Sequence, residues 1–357
     1  MIEINGRKIG EDNPAYIIAE MSANHGKDEI KALEIIHAMK EAGADAVKLQ
    51  TYTPDTMTID CDNEYFRVGK GTIWEGKTLY ELYGEAYTPW EWQPKLKQIA
   101  NDLGMDCFST PFDATAVDFL EEMNVPAYKI ASFELVDIPL IQKVAATGKP
   151  VIMSTGMGSA EEIADAVDAV RAEGNDQLIL LKCTSAYPAQ PEDADLNTIA
   201  DMRVQFGCDV GLSDHTLGNE VVMGAISLGA FVIEKHFCMS RSDPGPDSAF
   251  SLEPQEFRAM VDAVRAGEKD PESITIDNRI LGNVNYERAE NEKASIVFRR
   301  SLFVVEDMNA GDVFTEQNVR VIRPGNGMAP KYFHDVLGKT AKTSIKRGTP
   351  LSENHLS

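Results

Sequence analysis

The chain has too few cysteines to be stapled by disulfides. There are five, at positions 61, 107, 183, 208 and 238, odd in number, widely spaced and without a Cys-x-x-Cys pair. This usage offers no thiolate zinc site and suits a reducing compartment. No apolar run approaches the roughly 20 residues that span a bilayer, and the polar start, MIEINGRKIGEDNPAY, has no signal-peptide core. A cytoplasmic protein that does not engage a membrane is expected. Basic blocks are missing too. With 34 Lys and Arg against 57 Asp and Glu, the net charge is −23, which argues against nucleic acid as a partner. An anionic ligand would need a site made positive by local arrangement.

What is present is a long, regular alternation. A chain of 357 residues with 43% hydrophobic content can hold one large domain and a small one. Short apolar runs at 16–19, 44–49, 106–111, 127–132, 150–154, 178–182, 208–212 and 230–233 read as strands, each followed by helix-compatible sequence. Eight such units predict an α/β fold, a closed (β/α)8 TIM barrel over 1–267. The segment 51–89 breaks the pattern with Tyr52, Tyr65, Phe66, Trp74, Tyr80, Tyr83 and Tyr87. It reads equally as a lid whose rings stack on a sugar and as a satellite core. Residues 268–298 are polar and weakly periodic, a linker or loosely packed arm. Short strands and turns over 299–357 predict a small β-rich domain, too small to be strongly stable alone, that docks on a barrel, its own or a partner's.

The strand exits carry the chemistry. They present Glu20, then Lys48 and Gln50, Thr110, then Lys129, Ser132 and Glu134, Ser154, Ser185 and Tyr187, Ser213 and His215, and finally His236. In a barrel these converge on the C-terminal face, where such folds place their sites. Two lysines among hydroxyls suit a small substrate bearing phosphate and carboxylate. His215 and His236 lie 21 positions apart just past consecutive strands, a pair able to bind a divalent ion and leave positions open. Glu20 and Glu134 could move a proton or hold a polyol, and Asp247, after a Pro-Gly-Pro turn, could orient a sugar hydroxyl. Four rival readings stand beside this one: a Schiff base on Lys129 or Lys182, a metal hydrolase, a sugar-binding protein without turnover, and Cys183 as nucleophile.

Taken together, AEMSANHG (19–26), VKLQTY (47–52), STPFD (109–113), AYKIAS (127–132), STGM (154–157), GLSDHT (211–216), EKHF (234–237) and GPD (245–247) resemble the sialic acid synthase family. RPGNG (323–327) resembles the antifreeze-like, or SAF, domain that follows the barrel there. LQTYTPDTMT (49–58), EAYTPWEW (85–92) and DSAFSLEP (247–254) are most similar to the pseudaminate-forming branch. The resemblance implies condensation of phosphoenolpyruvate with a diacetamido trideoxy sugar, releasing phosphate. It implies that Lys48, Thr110, Lys129, Ser132, Ser154, Ser185 and Ser213 hold phosphoenolpyruvate. Gln50, Glu134, Tyr187, Asp247 and Arg323 would hold the amino sugar. His215 and His236 would bind Mn²⁺ or Mg²⁺, imidazole ligation favouring Mn²⁺. Arg323 would arrive from the other subunit of a domain-swapped homodimer. The chain departs from the common pattern at Ser185, where Asn is usual, and at Cys238, where Thr is common.

Overall fold

The structure, a computed structural model, describes residues 2–69 and 76–357. Eight parallel strands close into a barrel in chain order: β1 (Tyr16–Glu20), β2 (Ala46–Thr51), β3 (Asp106–Pro111), β4 (Tyr128–Ile130), β5 (Val151–Ser154), β6 (Leu178–Cys183), β7 (Asp209–Asp214) and β8 (Val232–His236), which pairs back onto β1. The predicted TIM barrel is the observed one. Its helices are α1 (Glu29–Glu41), α2 (Gln93–Asp102), α3 (Ala114–Glu122), α4 (Ile138–Ala145), α5 (Ala160–Ala172), α6 (Thr198–Phe206), α7 (Glu220–Ser227) and α8 (Pro254–Lys269).

Local chemistry explains these elements. In α1 the apolar positions Ala32, Ile35, Ile36 and Met39 recur at helical spacing and are all buried. Asp28 accepts from the amides of Ile30 and Lys31 to cap its start, and Gly43, at φ +89°, turns the chain toward β2. The strands are buried on both faces, inward by the barrel packing and outward by the helices, so they read as apolar runs rather than alternations. An antiparallel hairpin, Ile2–Ile4 with Arg7–Ile9, contributes Ile2, Ile4 and Ile9 to the barrel's core.

Strand register decides which side chains face inward. Glu20 pairs with Lys48 and with His236, Gln50 with Thr110, Lys129 with Ile152, Ser154 with Leu181, and Ser213 with both Cys183 and Glu234. Paired residues share a face, so the polar groups stack in the mouth of the barrel. Lys182 and Lys235 fall on the opposite parity, toward the helices.

Three features differ from expectation or resolve an alternative. Tyr52, Phe66 and Tyr83 pack with Met57, Phe112 and, from the C-terminal domain, Phe303, Val305 and Ile322. The segment after β2 is thus a satellite core, because its rings find apolar partners on the docked domain; Trp74 lies outside the described residues. The stretch after α8 is not loose. A short helix, Asn278–Leu281, buries Ile280 against the barrel, and its carbonyls accept from the amides of Leu196 and Asn197. Last comes a three-stranded sheet, β9 (Ser301–Val304) between β10 (Val319–Ile322) and β11 (Thr349–Pro350), over a core that includes Leu302, Phe314, Val336 and Leu351.

Candidate active site

At the floor of the barrel mouth lies a network of four buried charges. The Lys48 ammonium is 2.6 Å from Glu20 and 3.5 Å from Glu234, and that of Lys129 is 3.8 Å from Glu234. Lys129 donates to Ser154 Oγ at 2.6 Å, Lys48 reaches Thr110 Oγ1 at 3.4 Å, and Ser213 donates to Glu234 at 3.3 Å. Burial pushes the Glu20 carboxyl up to about 7; Lys48 pulls it down and Glu234 pushes it up again. Burial would also raise Glu234, but Lys129 and Lys48 hold it below the usual carboxylate range. Lys129 is lowered by the same burial, against the attraction of Glu234. With two carboxylates facing two ammoniums, the lysines alone do not make the site positive. Protonation of Glu20 would tip the balance toward an anion.

Above this floor, β5 ends in Ser154-Thr155-Gly156. The Gly156 amide donates to Ser132 Oγ at 3.2 Å, and a Cβ at that position would collide with Ser132 Oγ and Ser185 Oγ. Two hydroxyls and an amide therefore line a cradle that glycine leaves open. Its donors suit phosphate oxygens.

On the neighbouring wall, His215 and His236 stand with ring centroids 5.3 Å apart. His215 Nδ1 lies 3.0 Å from the carbonyl oxygen of Thr184. A carbonyl only accepts, so Nδ1 carries a proton, and in the neutral ring Nε2 keeps its lone pair. Tyr187 packs 4.6 Å from the His215 ring, and Phe250 lies 5.0 Å from both Tyr187 and His236. Gln50 donates to Glu20 at 2.9 Å and to Ser22 at 3.2 Å, and Ser22 in turn bonds Asp247. At the rim, Glu134 takes Arg323 at 2.7 Å and Arg300 at 3.2 Å, both from the C-terminal domain. Arg323 also reaches the Tyr83 hydroxyl at 3.2 Å and lies over the Phe133 ring at 4.9 Å.

The sequence matches the NeuB family over residues 35–273 and the SAF domain over residues 299–357. It is 42% identical to the pseudaminic acid synthase of Helicobacter pylori over 96% of this chain and 98% of that protein. The chain belongs to the NeuB family. Another relative, the N,N'-diacetyllegionaminic acid synthase of Legionella pneumophila, is 36% identical over 99% of this chain and 98% of its own length. Among solved structures, the spore coat polysaccharide biosynthesis protein spsE of Bacillus subtilis superposes with a TM-score of 0.87 at 31% identity, covering 100% of this chain and 99% of that one.

Every site residue inferred from sequence lies in or around the mouth of this NeuB barrel, including Arg323, which reaches Glu134 from the chain's own SAF domain. Sequence reading missed Glu234, which its place two residues before His236 on an inward-facing strand would have signalled. It also missed Arg300 and Ser22, for which no local pattern exists. The two imidazoles fit a divalent ion: His215 offers Nε2, and the buried His236 Nδ1 has no hydrogen-bond partner. Burial, reinforced by His215 and Lys48, lowers His236, so it stays neutral as a ligand must. No cluster of three or more candidate ligands occurs among the described residues. Cys238, buried and pushed up to about 12 by that burial, has no part in this chemistry.

Proposed function

We propose that the chain condenses phosphoenolpyruvate with 2,4-diacetamido-2,4,6-trideoxy-β-L-altropyranose and water to give pseudaminic acid and phosphate. The observation that carries the proposal is the junction of a lysine-and-hydroxyl cradle with a histidine pair, in a chain 42% identical to a pseudaminic acid synthase over nearly its full length. Lys48, Lys129, Thr110, Ser132, Ser154, Ser185 and Ser213 hold the phosphate and carboxylate. Gln50, Tyr187, Asp247, Glu134 and Arg323 hold the sugar, with the Tyr187 ring against one face. His215 and His236 would hold Mn²⁺ or Mg²⁺, which would supply Lewis-acid polarisation of the sugar's aldehyde oxygen.

Carbon 3 of phosphoenolpyruvate bonds to C1 of the open-chain sugar, which leaves an alkoxide there and cationic character at C2. Water adds at C2, and Glu20, raised to about 7, takes its proton for delivery to the alkoxide. The C2 hydroxyl then passes its remaining proton to the departing phosphate as C2=O forms, the C2–O bond to phosphate breaks, and phosphate leaves with the bridging oxygen. The five free cysteines fit a reducing, cytoplasmic setting. A homodimer belongs to the same proposal, and analytical ultracentrifugation tests it; the expected exchange of SAF domains does not, because Arg323 already reaches Glu134 of its own barrel.

A Schiff base on Lys182 is disfavoured by its outward parity, and one on Lys129 by its bond to Ser154. The test is phosphate release from phosphoenolpyruvate with Mn²⁺, offering the altro sugar, its legionaminate-pathway counterpart and N-acetylmannosamine. Turnover restricted to the altro sugar, lost on chelation, with oxygen-18 from water entering the sugar acid, is expected. Label in the phosphate would overturn the bond-cleavage scheme, and turnover restricted to another sugar would move the chain to a different branch.

A further inference from the structure

The stretch joining barrel to SAF domain grips the two loops that build the anion cradle. Arg299, nearly buried, donates to the carbonyl of Met157 at 2.5 Å and to the Glu162 carboxylate at 2.8 Å. Arg288 does the same, to Met157 O at 2.8 Å and to Glu162 at 3.1 Å. Glu162 is at the same time the N3 member of the α5 capping box, its carboxylate accepting from the amide of the N-cap residue Ser159 at 2.9 Å. One carboxylate and one carbonyl thus bind two guanidiniums, and both acceptors flank the Gly156 turn.

Met157 has φ +59°, a left-handed conformation that a side chain adopts at a cost, so the loop needs outside support to hold it. The two arginines provide that support at the carbonyl. On the adjoining loop, Glu292 accepts from the Ser185 amide at 2.6 Å, and Ser295 donates to the Ser185 carbonyl at 3.1 Å. Glu292 is itself buried and bonds the Ala289 amide at 3.0 Å. A spacer that only tethered two domains would have no reason to bury these charges on two loops of the barrel mouth.

We propose that the interdomain segment, together with the first residue of the SAF domain, is a working part of the anion site: Arg288, Glu292 and Arg299 are positioning residues that set the Met157 and Ser185 loops for the phosphate of phosphoenolpyruvate. The assignment rests on the function proposed above for the cradle. It makes docking of the segment and binding of the anion mutually dependent, because each favours the same loop geometry. Displacing hydroxyl donors by an ångström is enough to weaken a site by orders of magnitude, so a lost grip registers first in the affinity for phosphoenolpyruvate.

The test uses the full-length chain with Arg299→Met, Arg299→Lys and Glu292→Gln. Arg299→Met is expected to raise the KM for phosphoenolpyruvate by about tenfold while the sugar KM and kcat stay within about twofold. Lysine restores part of the loss, because it supplies charge without the guanidinium fork. In ligand-free protein, hydrogen exchange at 155–158 is expected to quicken several-fold in Arg299→Met, and at 185–187 in Glu292→Gln. A folded Arg299→Met with unchanged KM for phosphoenolpyruvate, or with both KM values raised alike, overturns the proposal. Unchanged exchange in both loops does so as well. A wild-type chain that does not consume phosphoenolpyruvate would fault the functional reading, and the exchange measurement would still decide the grip.

Discussion

Glu20 and Glu134 stand in the same barrel mouth and live in opposite surroundings. Glu20 lies on the floor, where every neighbour is a barrel residue: one ammonium at 2.6 Å, the Gln50 amide, and a second carboxylate close by. Glu134 stands at the rim, held between two guanidiniums that come from the SAF domain. The floor is thus charged and self-contained, whereas the rim is completed only when the second domain docks. The difference separates two jobs. Groups that must change protonation sit where burial can tune them, and groups that orient a ligand sit where a second domain can close over them.

Four substitutions would break or sharpen this contrast. Lys129→Met leaves Glu234 with one cation fewer and removes the donor to Ser154. We expect kcat/KM to fall by about 10²–10³-fold in a phosphate-release assay, as for loss of a preorganised charge. Glu20→Gln should lower kcat by about 10²-fold with little change in the KM for sugar. Its pH signature is specific. Below about 7 the Glu20 carboxyl keeps its proton, so a base role predicts that wild-type kcat/KM rises with pH through that region. The same raised value makes the folded chain favour the protonated form. That stability is complete below the ordinary carboxylate range near 4.5 and is lost as pH rises through about 7. Glu20→Gln should flatten both the activity limb near pH 7 and the decline in Tm between about pH 4.5 and 7, and an unshifted limb would assign the base elsewhere.

Arg323→Ala is expected to act more mildly, raising the sugar KM by about tenfold with the KM for phosphoenolpyruvate unchanged, since Arg300 still neutralises Glu134. An equal loss for both substrates would show that the rim and floor are not separate. Cys238→Thr should do least. The thiol lies 4.0 Å from the carbonyls of Ser248 and Ser251, beyond reach of a direct O–H···O bond, and threonine is close to cysteine in size. Stability is expected to stay within about 1 kcal/mol in thermal unfolding, with activity unaltered.

The barrel was legible because strands buried on both faces announce themselves as apolar runs, and Gly43, Gly104 and Gly148 mark turns before β2, β3 and β5. The site residues at strand exits followed from the same register. Lys48, Thr110, Lys129 and Ser154 lie within or at the end of apolar runs and His236 just past one, and parity aims them inward. Glu234 went unread although it obeys that parity, because it sits inside the motif that ends in His236. Arg300 and the aromatics of 51–69 and 76–89 carried no comparable signal. Their meaning depends on a domain roughly 200 residues away in the chain, and no window of sequence contains both partners.

By itself the sequence determined the order of strands and helices, the ring of hydroxyls and lysines, and the histidine pair, because hydrophobic period and strand parity are local properties. Only the tertiary structure decided the charge balance of the floor, where Glu20 and Glu234 meet the two lysines, and the closing of the rim by Arg300 and Arg323. It also decided the grip of the interdomain segment on the cradle. These depend on distances of a few ångströms between residues remote in the chain, and electrostatic energies change sign with which charge lies nearest.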